Sequence, residues 1–235
     1  MLQLEDVQLQ QGDFRLCADL AVPSGAIVAV MGPSGGGKST LLAAIAGFLA
    51  PVAGRILWDG QDITDLPPAA RPVSILFQDN NLFPHLTVAQ NLGLGLRPTL
   101  RLKSVEIAQI EEVLTQVGLS GLSGRKPGAL SGGQQSRAAL ARVLLGGRPL
   151  VLLDEPFSAL GPGLKDEMLD LAATMLAAQG RTLLMVTHDP RDARRIAGAV
   201  MLVAQGIAAP PVATATIFAN PPPALRDYLG DQPLT

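Results

Sequence analysis

Nine consecutive residues, Gly32-Pro33-Ser34-Gly35-Gly36-Gly37-Lys38-Ser39-Thr40, constrain this chain more than any others. They complete the pattern G-x-x-x-x-G-K-[ST] directly after an apolar run, Ala26 to Met31, that predicts a buried strand. Glycines let backbone N–H groups converge on an anion. Lys38 is long enough to reach β- and γ-phosphates, and Ser39 carries a hydroxyl suited to Mg²⁺. The apolar run Leu41 to Ala50 predicts a helix whose positive end faces the same anion. A glycine-rich turn alone is common, but a strand before it and a helix after it make it a nucleotide cradle.

With 235 residues, 48% of them hydrophobic, the chain can fill one substantial core. A net charge of -2 gives no basic surplus for a polyphosphate backbone, so nucleic acid is not an expected partner. No apolar stretch approaches the ~20 residues of a spanning helix, and Met1 to Asp6 lacks the basic start of a secretory signal. The expected location is therefore the cytoplasm, with any membrane contact peripheral. Cys17 has no second cysteine to pair with. In its strand-like context it is expected to be a small buried hydrophobe.

Strand patterns cover Leu2 to Leu9 and Phe14 to Leu20, and Asp59-Gly60 within Arg55 to Ile63 predicts a hairpin. Val73 to Phe77 reads as a buried strand ending on the polar Gln78. From Thr87 to Leu130 the pattern turns helical: Ile110, Val113, Leu114 and Val117 share one face, with Ser104 as the expected N-cap. Strands return at Leu150 to Leu153 and Thr182 to Val186, around a helical stretch from Leu164 to Ala178. Such alternation predicts an α/β fold with a mostly parallel sheet flanked by helices, an N-terminal antiparallel β part and an inserted helical part. The expected division is a core of residues 1–78 and 141–207, a helical insertion of 79–140, and a tail of 208–235 read as a short hairpin followed by irregular chain.

Three further motifs carry chemistry. Leu150-Val151-Leu152-Leu153-Asp154-Glu155 sets two carboxylates where a buried strand leaves the sheet. Asp154 is placed to hold Mg²⁺ through water, and Glu155 to polarise a water molecule against a γ-phosphate. Leu130-Ser131-Gly132-Gly133-Gln134 opens a second helix N-terminus, a second anion site that suggests a nucleotide bound by a neighbouring copy. His188, after the strand ending at Val186, is placed to reach the γ-phosphate from another side.

GPSGGGKST, the strand-terminal Gln78 in FQ, LSGGQ, LLDEP and THD, in that order and over nearly the whole chain, resemble the ATPase subunit of ATP-binding cassette transporters. The resemblance implies a phosphate-loop (RecA-like) fold in which Gly32 to Thr40 grip MgATP. It also implies that Ser39, Gln78 and Asp154 attend the metal, that Gln78, counted with the catalytic residues, senses both metal and permease, that Glu155 is the catalytic base, and that His188 is the γ-phosphate switch. Ser131, Gly132, Gly133 and Gln134 would complete the site of an opposing protomer in a head-to-tail dimer. The partners implied are a second copy, a transmembrane permease and a periplasmic solute-binding protein, with the chain on the cytoplasmic face of the bacterial inner membrane.

Arg71 to Phe83, continuing through Leu86 to Asn91 and Gly93 to Leu96, is similar more narrowly to bacterial thiamine-import ATPases. Ferric-ion, molybdate, sulfate and polyamine importers share much of that pattern. A nucleic-acid-directed ATPase of the same superfamily would need long heptad arms or a second cassette, and a GTPase an N-K-x-D motif. The chain has none of these. Leu82, Phe83, Pro84 and Leu86 form an apolar cluster that either lines the groove for a permease helix or belongs to the core of the helical insertion.

Two positions depart from the family pattern. Gln11 stands where an aromatic residue usually stacks on adenine, with Phe14 nearby. Gly161 stands where the run S-A-L-D has its Asp, leaving Asp166 or Asp170 as possible substitutes.

Overall fold

A computed structural model describes residues 1–78 and 81–230; Asp79 and Asn80, at the start of the expected insertion, and the last five residues of the tail lie outside them. Strand β1 (Leu2–Gln11) pairs antiparallel with β2 (Phe14–Val22) on one side and β4 (Ala53–Trp58) on the other. Asp59 and Gly60 turn β4 into β5 (Gln61–Asp62), with φ 48° and 79°. Two left-handed residues are what a two-residue hairpin of right-twisted strands demands. In β2 the period of two points Leu16, Ala18, Leu20 and Val22 inward. That alternation turns Cys17 outward, so it is exposed rather than the buried hydrophobe expected.

The parallel part runs in the order β9 (Ala199–Ala204), β3 (Ile27–Met31), β8 (Thr182–Val186), β7 (Leu150–Asp154), β6 (Val73–Leu76). Every neighbouring pair is parallel. Helices cover both faces, so Val28 to Met31, Leu150 to Leu153 and Leu183 to Val186 are fully buried. Burial on both faces explains why these strands are continuous apolar runs rather than alternating ones. Strand β10 (Ile207–Ala208) joins the two parts, pairing antiparallel with β9 and parallel with β2.

Helix α1 (Lys38–Ala46) fills the space between the two sheet regions and stops at Gly47, φ 88°, short of the expected Ala50. Its carbonyl end is held by the buried Arg71, which donates to Ala44 O at 2.7 Å and Ile45 O at 2.9 Å. Helices α2 (Val88–Leu96), α3 (Ser104–Gln116) and α4 (Gly132–Leu145) surround a separate apolar cluster that includes Leu92, Ile110, Leu114, Leu119 and Ala141. Ser104 opens α3 rather than capping it. Lys103 takes the cap position, where its N–H donates to the Glu106 carboxylate at 2.7 Å.

Helix α5 (Pro162–Ala178) packs against β8, and α6 (Pro190–Ile196) against β3. Over its described residues the tail is not irregular as expected. After β10, strand β11 (Val212–Ala213) returns to β9, and α7 (Thr214–Ala219) and α8 (Pro223–Leu229) follow. Ile217, Phe218, Leu225 and Leu229 bury against Ala29, Met31, Ala193 and Ala197. Elements this short, bounded by prolines, are too brief for a period of 3.6 to be read from sequence. The loops after β3, β7 and β8, which are adjacent and parallel, all open on one edge, where ligands of such sheets bind.

Candidate active site

Phosphate-loop geometry follows from how closely that loop approaches its neighbours. At Gly32, φ 145°, an added Cβ would stand 2.0 Å from Val203 O; at Gly36 it would stand 2.9 Å from the same oxygen. At Gly37, φ 99°, a Cβ would meet the Phe14 ring at 2.6 Å. Only glycine fits these places. Lys38 opens α1 almost fully buried, and its Nζ donates to Gly32 O and Pro33 O at 2.8 Å each. The loop thus closes on its own lysine. Burial pushes the Lys38 ammonium pKa down, and the charges of Glu155 and Asp154 oppose that.

Gly32, Ser34, Gly35, Gly37, Lys38, Ser39, Thr40, Glu155 and His188 line one cavity of about 490 Å³. Pro33 and Gly36 belong to the same loop. Asp154 connects to it through the Ser39 hydroxyl, which bonds its carboxylate. Burial pushes the Asp154 carboxyl up and the Glu155 charge adds to this, while Ser39 and Lys38 pull it down. Gln11 and Phe14 form another part of the wall, and Thr40 Oγ1 donates to Gln11 Oε1 at 3.2 Å.

Glu155 holds φ 45°, a strained conformation for a residue with a side chain and one concentrated at functional sites. Its N–H donates to Val186 O at 3.2 Å, which fixes the turn against β8. That turn brings Glu155 Oε2 within 3.6 Å of His188 Nδ1. Behind His188 lies a network absent from the sequence expectations. Lys165 Nζ contacts Asp192 Oδ1 at 2.7 Å and Asp189 Oδ2 at 3.1 Å, and Thr187 Oγ1 donates to Asp192 Oδ2 at 2.5 Å. Tyr228, from α8, was equally missed, although Leu225, Tyr228 and Leu229 share the i, i+3, i+4 face of a helix.

Gln78, Ser131, Gly132, Gly133 and Gln134 do not line this cavity. Gln78 is exposed just beyond β6. Ser131 caps α4: Gln134 N donates to Ser131 Oγ at 3.3 Å and Ser131 N to Gln134 Oε1 at 3.0 Å. Gly133 packs so close to Leu164 that a Cβ would stand 2.4 Å from its Cδ2. Asp166 and Asp170 are both engaged by Arg195 of their own chain, Asp170 through two bonds of 2.7 and 2.6 Å.

Residues 17–158, from β2 through the acidic strand end, match the ABC transporter family. The chain belongs to that family. Over 98% of its length it is 62% identical to the whole of the thiamine import ATP-binding protein ThiQ of Cereibacter sphaeroides. The ThiQ of Escherichia coli is 52% identical over 88% of this chain and 89% of its own. Among solved structures, a dimeric ATP-binding cassette in a post-hydrolysis state, bound to ADP and Pi, matches 91% of this chain and 99% of its own. Its TM-score is 0.79 at 30% identity. A cassette in its ADP conformation matches 98% of this chain and 99% of its own, with a TM-score of 0.87 at 25% identity.

The donor set suits a magnesium nucleotide. Ser39 and Asp154 offer only hard oxygen ligands, and no cluster of three or more His, Cys, Asp or Glu among the described residues forms a cage by itself. Magnesium is ordinarily held this way, by one or two protein oxygens with phosphate and water completing the shell.

Proposed function

We propose that this chain is the ATP-hydrolysing, energy-coupling subunit of a bacterial thiamine importer, working as a head-to-tail dimer on the cytoplasmic face of the inner membrane. The observation that carries the nucleotide chemistry is the convergence of Lys38, Glu155 and His188 on one cavity closed by Gly32 and Gly37. Thiamine as cargo rests on the ThiQ relatives.

In this reading Lys38 leaves the carbonyls of Gly32 and Pro33 for the β- and γ-phosphates, which the α1 N-terminus also attracts. Glu155, which lines the cavity, orients the attacking water and receives its proton. His188 faces the same carboxylate and donates to the γ-phosphate. Ser39 and Asp154 would hold Mg²⁺, with Gln78 attending it from outside the cavity, and the ion would supply charge neutralisation on the phosphates. Ser131 and the glycines after it, which do not line their own cavity, would meet the γ-phosphate of a partner's nucleotide.

Coupling falls to the surface beside Gln78. Asn91 is fully buried, accepting from Phe83 N at 2.7 Å and donating to the carbonyls of Phe83, Leu86 and Thr87 at 3.0–3.3 Å. This clamp leaves Phe83 47% exposed on the wall of a groove of about 370 Å³ that Ile75, Leu94, Arg142 and Arg148 also line. Leu82 packs partly into the core instead. We assign the groove to a permease helix, whose complex would include a periplasmic binding protein. Uptake of labelled thiamine by cells lacking this chain tests the assignment: uptake is abolished and returns with the wild-type chain, whereas unimpaired uptake would send the cargo assignment to another solute.

A further inference from the structure

We infer that Tyr228, on the C-terminal helix α8, is a positioning residue for His188, and that α8 is therefore part of the hydrolytic site. The inference rests on the active-site reading above. Its geometry begins in the core: Leu225 and Leu229 are buried against Ala29 and Met31 of β3 and against Ala193 and Ala197. These contacts fix α8 to the strand that leads into the phosphate loop. Tyr228, on the same helical face, is thereby held at the rim of the nucleotide cavity, which it lines together with Glu155 and His188.

Its hydroxyl donates to His188 O at 3.1 Å. His188 occupies a bend between β8 and α6 whose neighbours are fixed by other means. Thr187 N donates to Val30 O at 3.2 Å, and the Thr187 side chain is held by Asp192. Asp189 N donates to Thr187 Oγ1 at 3.1 Å. Among the described residues, the hydroxyl of Tyr228 is the partner of the His188 carbonyl, so the peptide that carries the switch imidazole is held from the tail. The imidazole itself is 59% exposed, so little packing restrains it. Burial pushes the Tyr228 phenol pKa up, and the charges of Glu155 and Asp189 add to this, so the hydroxyl keeps its proton and remains a donor at neutral pH.

A positioning role separates from a structural one in steady-state kinetics. In the full-length chain, Tyr228→Phe keeps the ring and its packing and removes only the donor. The expected result is a kcat for ATP hydrolysis reduced about threefold to tenfold, the worth of one hydrogen bond. KM for ATP and the melting temperature should stay at their wild-type values, and Tyr228→Leu should show at least as large a loss of kcat. Wild-type kcat in Tyr228→Phe, or a loss that follows a lowered melting temperature, overturns the inference. Glu155→Gln run alongside separates the two readings: retained turnover there overturns the active-site assignment, while lost turnover there with wild-type kcat in Tyr228→Phe overturns the role of Tyr228 alone.

Discussion

His188 Nδ1 stands 3.6 Å from Glu155 Oε2, across a gap between the ends of two adjacent parallel strands. Neither side chain reaches that position by local preference alone. Glu155 is turned there by a left-handed backbone bonded to Val186, and His188 by a bend fixed through Thr187. In the proposed reading, a carboxylate facing an imidazole in this cavity would set a base and a donor beside one reacting group.

Replacing Glu155 by Gln keeps the shape of the side chain and removes its basicity. Turnover should fall at least about 100-fold, the lower range for loss of a general base, with nucleotide affinity little changed. Size-exclusion chromatography should then show an ATP-loaded dimer that persists. Hydrolysis within tenfold of wild type would remove Glu155 from the role of base.

The phosphate cradle predicts a contrast between two glycines. Gly32→Ala forces a Cβ to within 2.0 Å of Val203 O, so the loop must move and nucleotide affinity should fall at least about tenfold. Gly35→Ala meets no atom within 4 Å and carries only the strain of φ 75°, about 1 kcal/mol. Titration with a fluorescent ATP analogue checks this, and equal affinities for the two variants would contradict it.

Acid should release the clamp behind His188. Burial works against the charge of Asp189, but bonds from the Arg191 side chain and N–H and from Lys165 outweigh it, holding the carboxyl well below its ordinary 3.8. The native state therefore binds this proton less readily than the unfolded chain. Its contribution is present above about pH 4 and lost as pH falls further. Burial likewise works against the charge of Lys165, yet bonds from Asp192 and Asp189 raise its pKa above 10.5. That contribution is present below pH 10.5 and lost as pH rises through the raised value. Lys165→Met should cost about 1–3 kcal/mol at pH 7, and the wild-type advantage in melting temperature should shrink below pH 4. An advantage that stays constant down to pH 2.5 would contradict the account.

The exposed ring of Phe83 predicts a separation of activities. Phe83→Asp should leave ATP hydrolysis by the isolated chain near wild type, because the residue lies on the groove beside β6 and outside the nucleotide cavity. Solute uptake by the assembled importer should fall at least about tenfold, since a charge set in an apolar contact is poorly tolerated. Loss of both activities would assign Phe83 to the fold instead.

Much of this site was legible because its parts are short, contiguous and tied to strand ends. GPSGGGKST, LLDE and THD each read directly as loop chemistry after a buried strand, and the structure gathers the residues they supply around one cavity. Cys17 was misread although the alternation of Leu16, Ala18 and Leu20 contained the answer. The tail was missed for a different reason. Its helices derive their order from long-range packing on β3 rather than from their own propensity, so nothing local announced Tyr228. Lys165 and Asp192, 27 residues apart, met only through the packing of α5 on α6.

In the proposed dimer each nucleotide is completed by residues of two chains, and mixing two inactive variants distinguishes this from hydrolysis by one chain alone. Ser131→Arg blocks the α4 N-terminus, and Glu155→Gln disables the cavity; each alone should be inactive as a homodimer. In an equimolar mixture, random pairing puts half of the protomers into mixed dimers with one intact site each, so about a quarter of wild-type ATPase activity should return if the sites act independently. A mixture no more active than the sum of its two parents would contradict the shared site.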